Sequence, residues 1–246
     1  MSTPLGTPRA AVPALLRAEL NLLLRNRTVA VTATLLPVLL GLLLTRTSGP
    51  SMAVPALAMQ VLTILGFTVY LTVTTTLTSR RQEHYLKRLC CAAPSPATVL
   101  NSLVLVPALL AVAQLAVVLA IGLRLLAPLR VEVLFLLLAV LAGTICCAVM
   151  GVATTGYTSS AEHAQITTLP FLLLLLGGGA GSAVVGQAAQ PLRLTPGGAV
   201  TDLVRCAVAP GDGVFAATLT DLAVLAGWTL LALLVARRTF RWEPRS

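Results

Sequence analysis

"EVLFLLLAVLAGTICCAVMGVATTGY", residues 132–157, carries one charged side chain, Glu132, and places it at the very start. A continuous Leu-, Val- and Ala-rich run longer than the about 20 residues needed to cross a bilayer reads as a transmembrane α-helix. The strand of an outer-membrane barrel is excluded by the same run, because such strands are segments of about 10 residues with alternating apolar and polar positions. Five more stretches read the same way, at 28–45, 52–77, 99–126, 167–185 and 214–235.

The composition agrees with this reading. The 246 residues are 57% hydrophobic and 10% charged with a mean hydropathy of +0.93, whereas soluble domains carry roughly 25% charged residues. The six expected spans consume most of the chain, and what remains falls short of the roughly 50 residues of an independent domain. A single all-α, polytopic membrane domain over 1–246 is therefore expected. Arg9, Arg17, Arg25 and Arg27 precede the first span over a long lead with no short apolar core ending at small residues, so the first span is expected to stay as an anchor.

Basic residues concentrate on cytoplasmic loops. With six spans, twelve of the seventeen Lys and Arg residues fall on the side of the termini: Arg9, Arg17, Arg25 and Arg27, then Arg80, Arg81, Lys87 and Arg88, then Arg237, Arg238, Arg241 and Arg245. The other side receives Arg46, Arg124, Arg130, Arg193 and Arg205. Both termini are thus expected in the cytoplasm of a cell whose cytoplasmic membrane holds the chain. The net charge of +9 reads as this topology signal plus attraction to anionic headgroups, not as nucleic-acid binding.

Several patterns inside and beside the spans call for roles. Residues 12–27 put Leu16, Leu20, Leu23 and Leu24 on one helical face and Arg17, Asn21 and Arg25 on another, the pattern of a helix lying in the membrane interface. The second span carries Thr68, Thr72, Thr75 and Thr76 on one face; these hydroxyls fit either a helix-packing stripe or the lining of a path for a polar or amphipathic cargo. Gly143, Cys147 and Gly151 repeat small residues every four positions, which suits close packing within the subunit. The fifth span ends in a cluster that includes Gly177, Gly178 and Gly179, which needs either close packing or a helix break, since glycine costs about 1 kcal/mol against alanine in a helix. The segment 186–213 reads as an outward connection, with Thr195 placed to cap or turn the chain at Pro196 and weak helical character from Gly198 to Val208. Asp221 stands about two turns into the last span; it is either a functional or paired intramembrane acid or an edge residue.

Catalytic chemistry has no foothold here. Lys87, the only lysine, lies in no GxxxxGK[ST] loop, and G-x-S-x-G and HExxH are missing, so no active site and no nucleotide site are expected in this chain. His84 and His163 lie in separate loops as solvated or helix-docking residues. The five cysteines divide between the cytoplasmic side (Cys90, Cys91), a span (Cys146, Cys147) and the outer side (Cys206), so no disulfide framework and no metal site are expected.

The loop between spans two and three, "SRRQEHYLKRLCCAAPSPA" at 79–97, is charged where its surroundings are hydrocarbon. It reads as a short helix ending before Pro94, with Arg81, Glu83, Lys87 and Arg88 displayed to the cytosol and Tyr85, Leu86 and Leu89 ready to bury against a partner protein. Taken in order, four elements carry a resemblance: "LLRAELNLLLRNR" before span one, "RRQEHYLKRLCCAAPSPATVL" after span two, "AEHAQ" before span five and "LTPGGAVTDLVR" before span six. In this arrangement the chain resembles the permease subunits of type-2 ATP-binding-cassette exporters, which include drug and antibiotic efflux permeases and polysaccharide and lipid-linked exporters.

The family's coupling-helix pattern, approximately E-x-G-T-L-K-R-L and then a proline, is matched at Leu86, Lys87, Arg88, Leu89 and Pro94, with His84-Tyr85 in place of the Gly-Thr step and Glu83 one position nearer to it than the pattern's acid. The resemblance implies that this loop docks on a separate cytoplasmic ATPase, and that ATP and Mg are bound there while this chain holds no cofactor. It also implies a pore built with a second copy or a related permease. A hydrophobic or amphipathic cargo, such as a drug, an antibiotic or a lipid-like molecule, would pass against the Thr stripe and the Gly cluster. The competing readings are an ATP-independent carrier or channel, with Asp221 as its test residue, and a membrane assembly protein that transports nothing.

Overall fold

The computed structural model describes residues 21, 31–47, 52–82, 96–125, 132–160, 162–185, 190–208, 211 and 213–239. Among these residues the chain is all-helical. Within the first expected span the described residues form a π-helical segment, Val31–Leu35, and then α1, Leu36–Thr47. It is followed by α2, Ala53–Gln82, with a π-helical stretch Ile64–Leu71 inside it, then by α3, Pro96–Leu125, and α4, Val133–Thr155. Next come α5, Ala164–Val185, a pair of short helices α6, Gln190–Arg193, and α7, Pro196–Val208, and finally α8, Val214–Thr239. Five of these, α2, α3, α4, α5 and α8, are long and apolar enough to cross a membrane. The interfacial helix expected at 12–27 lies outside the described residues apart from Asn21.

The centre of the bundle is α2, whose Leu62, Leu65, Val69, Tyr70 and Leu77 are all fully buried. Small residues on α4 allow this. Gly143 meets Leu65, and Gly151 meets Val73 and the carbonyl of Tyr70, so the expected small-residue stripe is an intrasubunit packing face. Where α2 passes α1 and α3 the two π-helical segments are held by side chains. The carbonyl of Ala33 accepts from Gln114 Nε2 at 2.7 Å, and Thr68 Oγ1 lies 2.7 Å from the same carbonyl and 2.8 Å from Gln114 Oε1. A π-turn opens the regular ladder, and here a hydroxyl and an amide from two other helices satisfy the carbonyl it presents.

The segment 186–213 is more helical and more deeply packed than its weak sequence signal suggests. There α6 and α7 follow one another as helices, forming a hairpin, and Pro196 through Val204 are all buried. The helix α7 packs against α2, α4, α5 and α8. Its start is capped by Thr195, as the sequence suggested: the amide of Gly198 donates to Thr195 Oγ1 at 3.0 Å, and that hydroxyl donates to Leu192 O at 2.6 Å. Proline at the first helical position needs no partner for an amide it lacks.

The glycine cluster of α5 serves this hairpin. Gly178 accommodates Thr195, and Gly179 accommodates Leu62 and Thr201, while Gly197 of α7 lies against the backbone of Leu175. The cluster therefore provides close packing, and α5 remains helical through it. The helix is interrupted earlier, at Thr168, near Pro170, which lacks the amide that would continue the ladder; the Thr168 hydroxyl donates to Ala164 O at 2.7 Å.

Candidate functional site: the basic end and the re-entrant hairpin

One end of the bundle carries Arg80 and Arg81 at the close of α2 and Arg237 and Arg238 at the close of α8. The chain that follows α2 is the expected coupling loop, and its candidate residues Glu83, Tyr85, Leu86, Lys87, Arg88 and Leu89 lie outside the described residues. Its root is described. Arg81, expected on the cytosolic surface, is instead 1% exposed. Its guanidinium donates to Thr155 O at 3.0 Å and to Thr158 O.

The last carbonyls of a helix have no partner within it, and a cation at that end is favoured by the helix dipole. The end of α4 thus draws Arg81 inward, and a planar fork of donors can serve two carbonyls at once.

The same connector is tied to its other neighbours. Thr158 Oγ1 lies 2.8 Å from Thr167 Oγ1 of α5, and the phenol of Tyr70 lies 3.1 Å from Thr154 Oγ1. Ser160 accepts from the His163 amide at 3.2 Å and lies 2.8 Å from His163 Nδ1, so this histidine is held as part of the cap of α5. Gly156 packs against Thr239 at the end of α8. The base of the loop after α2 and the "AEHAQ" element before α5 are thereby parts of one hydrogen-bonded unit.

The Thr stripe divides. Thr68 and Thr72 are 0% and 2% exposed and bond within the bundle, Thr72 Oγ1 donating to Phe67 O at 3.1 Å. Thr75 and Thr76 are half-buried, with Thr75 Oγ1 donating to Leu71 O at 2.8 Å. Gly177 is exposed, whereas Gly178 and Gly179 are covered by the hairpin.

At the other end, a charge cluster joins the hairpin to α8. Asp221 is 0% exposed. Arg193 of α6 pairs with Asp202 of α7 and reaches Asp221 Oδ1 of α8 at 3.5 Å. Arg205 Nη1 contacts Asp202 Oδ1 at 2.7 Å, and Arg205 Nη2 donates to Ser182 O of α5 at 3.1 Å. Asp202 takes the short contacts, and neither oxygen of Asp221 has a hydrogen-bond partner.

Charged groups in a membrane are costly unless paired, and four helices contribute to this pairing. Sequence reading counted Arg193 and Arg205 as outer-loop charges and left Asp202 aside. The available signal was an Asp and two Arg within a Gly-rich segment of an acid-poor chain.

The model of the family described as "ABC-2 family transporter protein" matches residues 13–238, nearly the whole chain. The chain belongs to this family. It is accordingly an ABC-2 permease subunit, a multi-pass membrane transport component of a family that works with an ATPase subunit. No curated protein sequence matches the chain. In this permease the buried Arg81 ends α2 just before the loop that the family resemblance assigns to ATPase docking, and the charge cluster of α6, α7 and α8 lies at the opposite end.

Proposed function

We propose that this permease is the membrane subunit of an exporter that moves a hydrophobic or amphipathic compound, a drug, an antibiotic or a lipid-like molecule, out of the cell. ATP is hydrolysed on separate cytoplasmic subunits that dock on the 79–97 loop, and the pore is completed by a second copy or a related permease in the cytoplasmic membrane. Both termini and the basic end face the cytoplasm.

The observation that carries this reading is the Arg81 anchorage. A docking helix can transmit movement only if its base is rigidly joined to the spans. Arg81 bonds the end of α2 to the end of α4, so a displacement of the loop by an ATPase is passed to two spans together. At the far end the hairpin is held by ion pairs that require partners from separate elements, which suits a gate with two discrete packings. Cargo contacts are proposed at Thr75, Thr76 and Gly177, which remain at least partly open to the surroundings.

The test is co-purification of the permease with its ATPase subunit and measurement of ATP hydrolysis, for the native chain and for Tyr85→Ala with Leu89→Ala. Separation of the pair, or hydrolysis that no longer responds to the permease, supports the reading. A double variant that binds and hydrolyses like the native complex removes the coupling role from the loop.

A further inference from the structure

A groove of about 290 Å³ runs along the outside of the bundle between α4, α5 and α8. Drug-sized ligand sites span roughly 300–1,000 Å³, so it suits one slender chain. Its walls are Met150 of α4, Phe171 and Leu174 of α5, and Trp228, Leu231 and Val235 of α8. The one polar group on this wall is occupied: the Trp228 indole N–H donates to Leu194 O, at the tip of the hairpin, at 2.9 Å.

The two ends of the groove differ. At the hairpin end Trp228 closes it. At the basic end Gly156, just after α4, meets Thr239 of α8, and an exposed polar residue neighbours each in the chain. Arg238 lies seven residues beyond Leu231, on the same helical stripe of α8, and Tyr157 follows Gly156 in the turn that ends α4; both are exposed. Arg237 is also exposed but lies on the opposite face of α8 from Trp228 and Val235.

We propose that this groove is a binding site for an anionic phospholipid, with an acyl chain along the apolar wall and the phosphate at Arg238 and Tyr157. Charge complementarity fixes the occupant. A guanidinium and a phenol are donors suited to phosphate oxygens, and they stand at the depth where a span ends and headgroups begin. On the orientation proposed above this is the cytoplasmic leaflet, while the binding itself does not depend on ATPase coupling. The bound chain touches Trp228, so the site adjoins the contact that pins the hairpin tip.

The test uses the fluorescence of Trp228 in the full-length permease carrying Trp242→Phe, reconstituted in bilayers of graded composition. Phosphatidylglycerol with brominated chains is expected to quench Trp228 at a mole fraction about fivefold lower than brominated phosphatidylcholine. Arg238→Gln is expected to erase that preference and Arg237→Gln to leave it, which separates a site from general attraction to a basic surface. Val235→Phe, which narrows the groove, is expected to weaken quenching by both lipids, with helicity and elution checked to show an intact fold. Equal quenching by the two lipids in the native groove overturns the proposal, as does a preference that survives Arg238→Gln or is lost equally with Arg237→Gln.

Discussion

The guanidinium of Arg81 donates to the main-chain carbonyl of Thr155 at 3.0 Å and so closes the last turn of α4 from a neighbouring helix. Thr155 is fully buried, so water cannot replace that donor. Hydrogen bonds from charged groups contribute about 1.5–3 kcal/mol. Arg81→Ala is expected to lower stability by that amount in thermal or denaturant unfolding of the purified permease, and Arg81→Lys to restore part of it, since one ammonium cannot reproduce the planar fork. On the proposed mechanism the same two variants reduce the permease's effect on ATP hydrolysis in the same order. Unchanged unfolding in Arg81→Ala contradicts the anchoring role.

Thr68 and Gln114 share the carbonyl of Ala33, so loss of one leaves the other in place. Interhelical hydrogen bonds in membranes average about 0.6 kcal/mol. Thr68→Val and Gln114→Leu should each cost about that, and the double variant should cost more than their sum because a buried carbonyl then has neither donor. A double-mutant cycle of unfolding free energies measures the coupling; strict additivity contradicts the shared-acceptor arrangement.

Within the hairpin cluster the two acids are not equivalent. Asp202 holds the short contacts to Arg193 and Arg205, whereas Asp221 stands 3.5 Å from Arg193 without a hydrogen bond. Breaking a buried pair from one side costs about 3–5 kcal/mol, and the part-exposed arginines place this cluster toward the low end. Asp202→Asn is therefore expected to destabilise the permease clearly more than Asp221→Asn, in the same unfolding assay. The reverse order would assign the organising role to Asp221.

Glycine is required at Gly197 by close approach and tolerated at Gly177 for no such reason. A methyl group at Gly197 would run into the backbone of Leu175, while nothing lies within 4 Å of one at Gly177. Gly197→Ala is expected to prevent seating of the hairpin and to reduce the yield of monodisperse protein, because a main chain cannot rotate away as a side chain does. Gly177→Ala is expected to be neutral or stabilising by up to about 1 kcal/mol from helix propensity alone. Comparable yields for the two variants would contradict the packing assigned to α7.

The spans were legible because crossing a bilayer depends on the apolar length of each segment alone; 132–157 announces α4 with one charged side chain in the whole stretch. The cap at Thr195 and the small-residue stripe of Gly143, Cys147 and Gly151 were legible for a similar reason, since both are written in residues close together in the chain. Arg81 was misplaced because its charge reads as surface, and the carbonyls that draw it inward belong to residues more than seventy positions away.

The sequence by itself determined that the protein is a helical membrane protein, where most of its long helices run, and, through four ordered motifs, its permease family. The tertiary structure decided which polar groups face inward: Thr68 on the carbonyl of Ala33, Arg81 on the end of α4, and the hairpin of α6 and α7 seated in the bundle. The physical reason is that hydropathy sums locally along a segment, whereas the cost of burying a charge or a carbonyl depends on whether distant helices bring a partner to it. Residues 190–208 look like a polar connection until Asp221, the carbonyl of Ser182 and the glycines of α5 are placed around them.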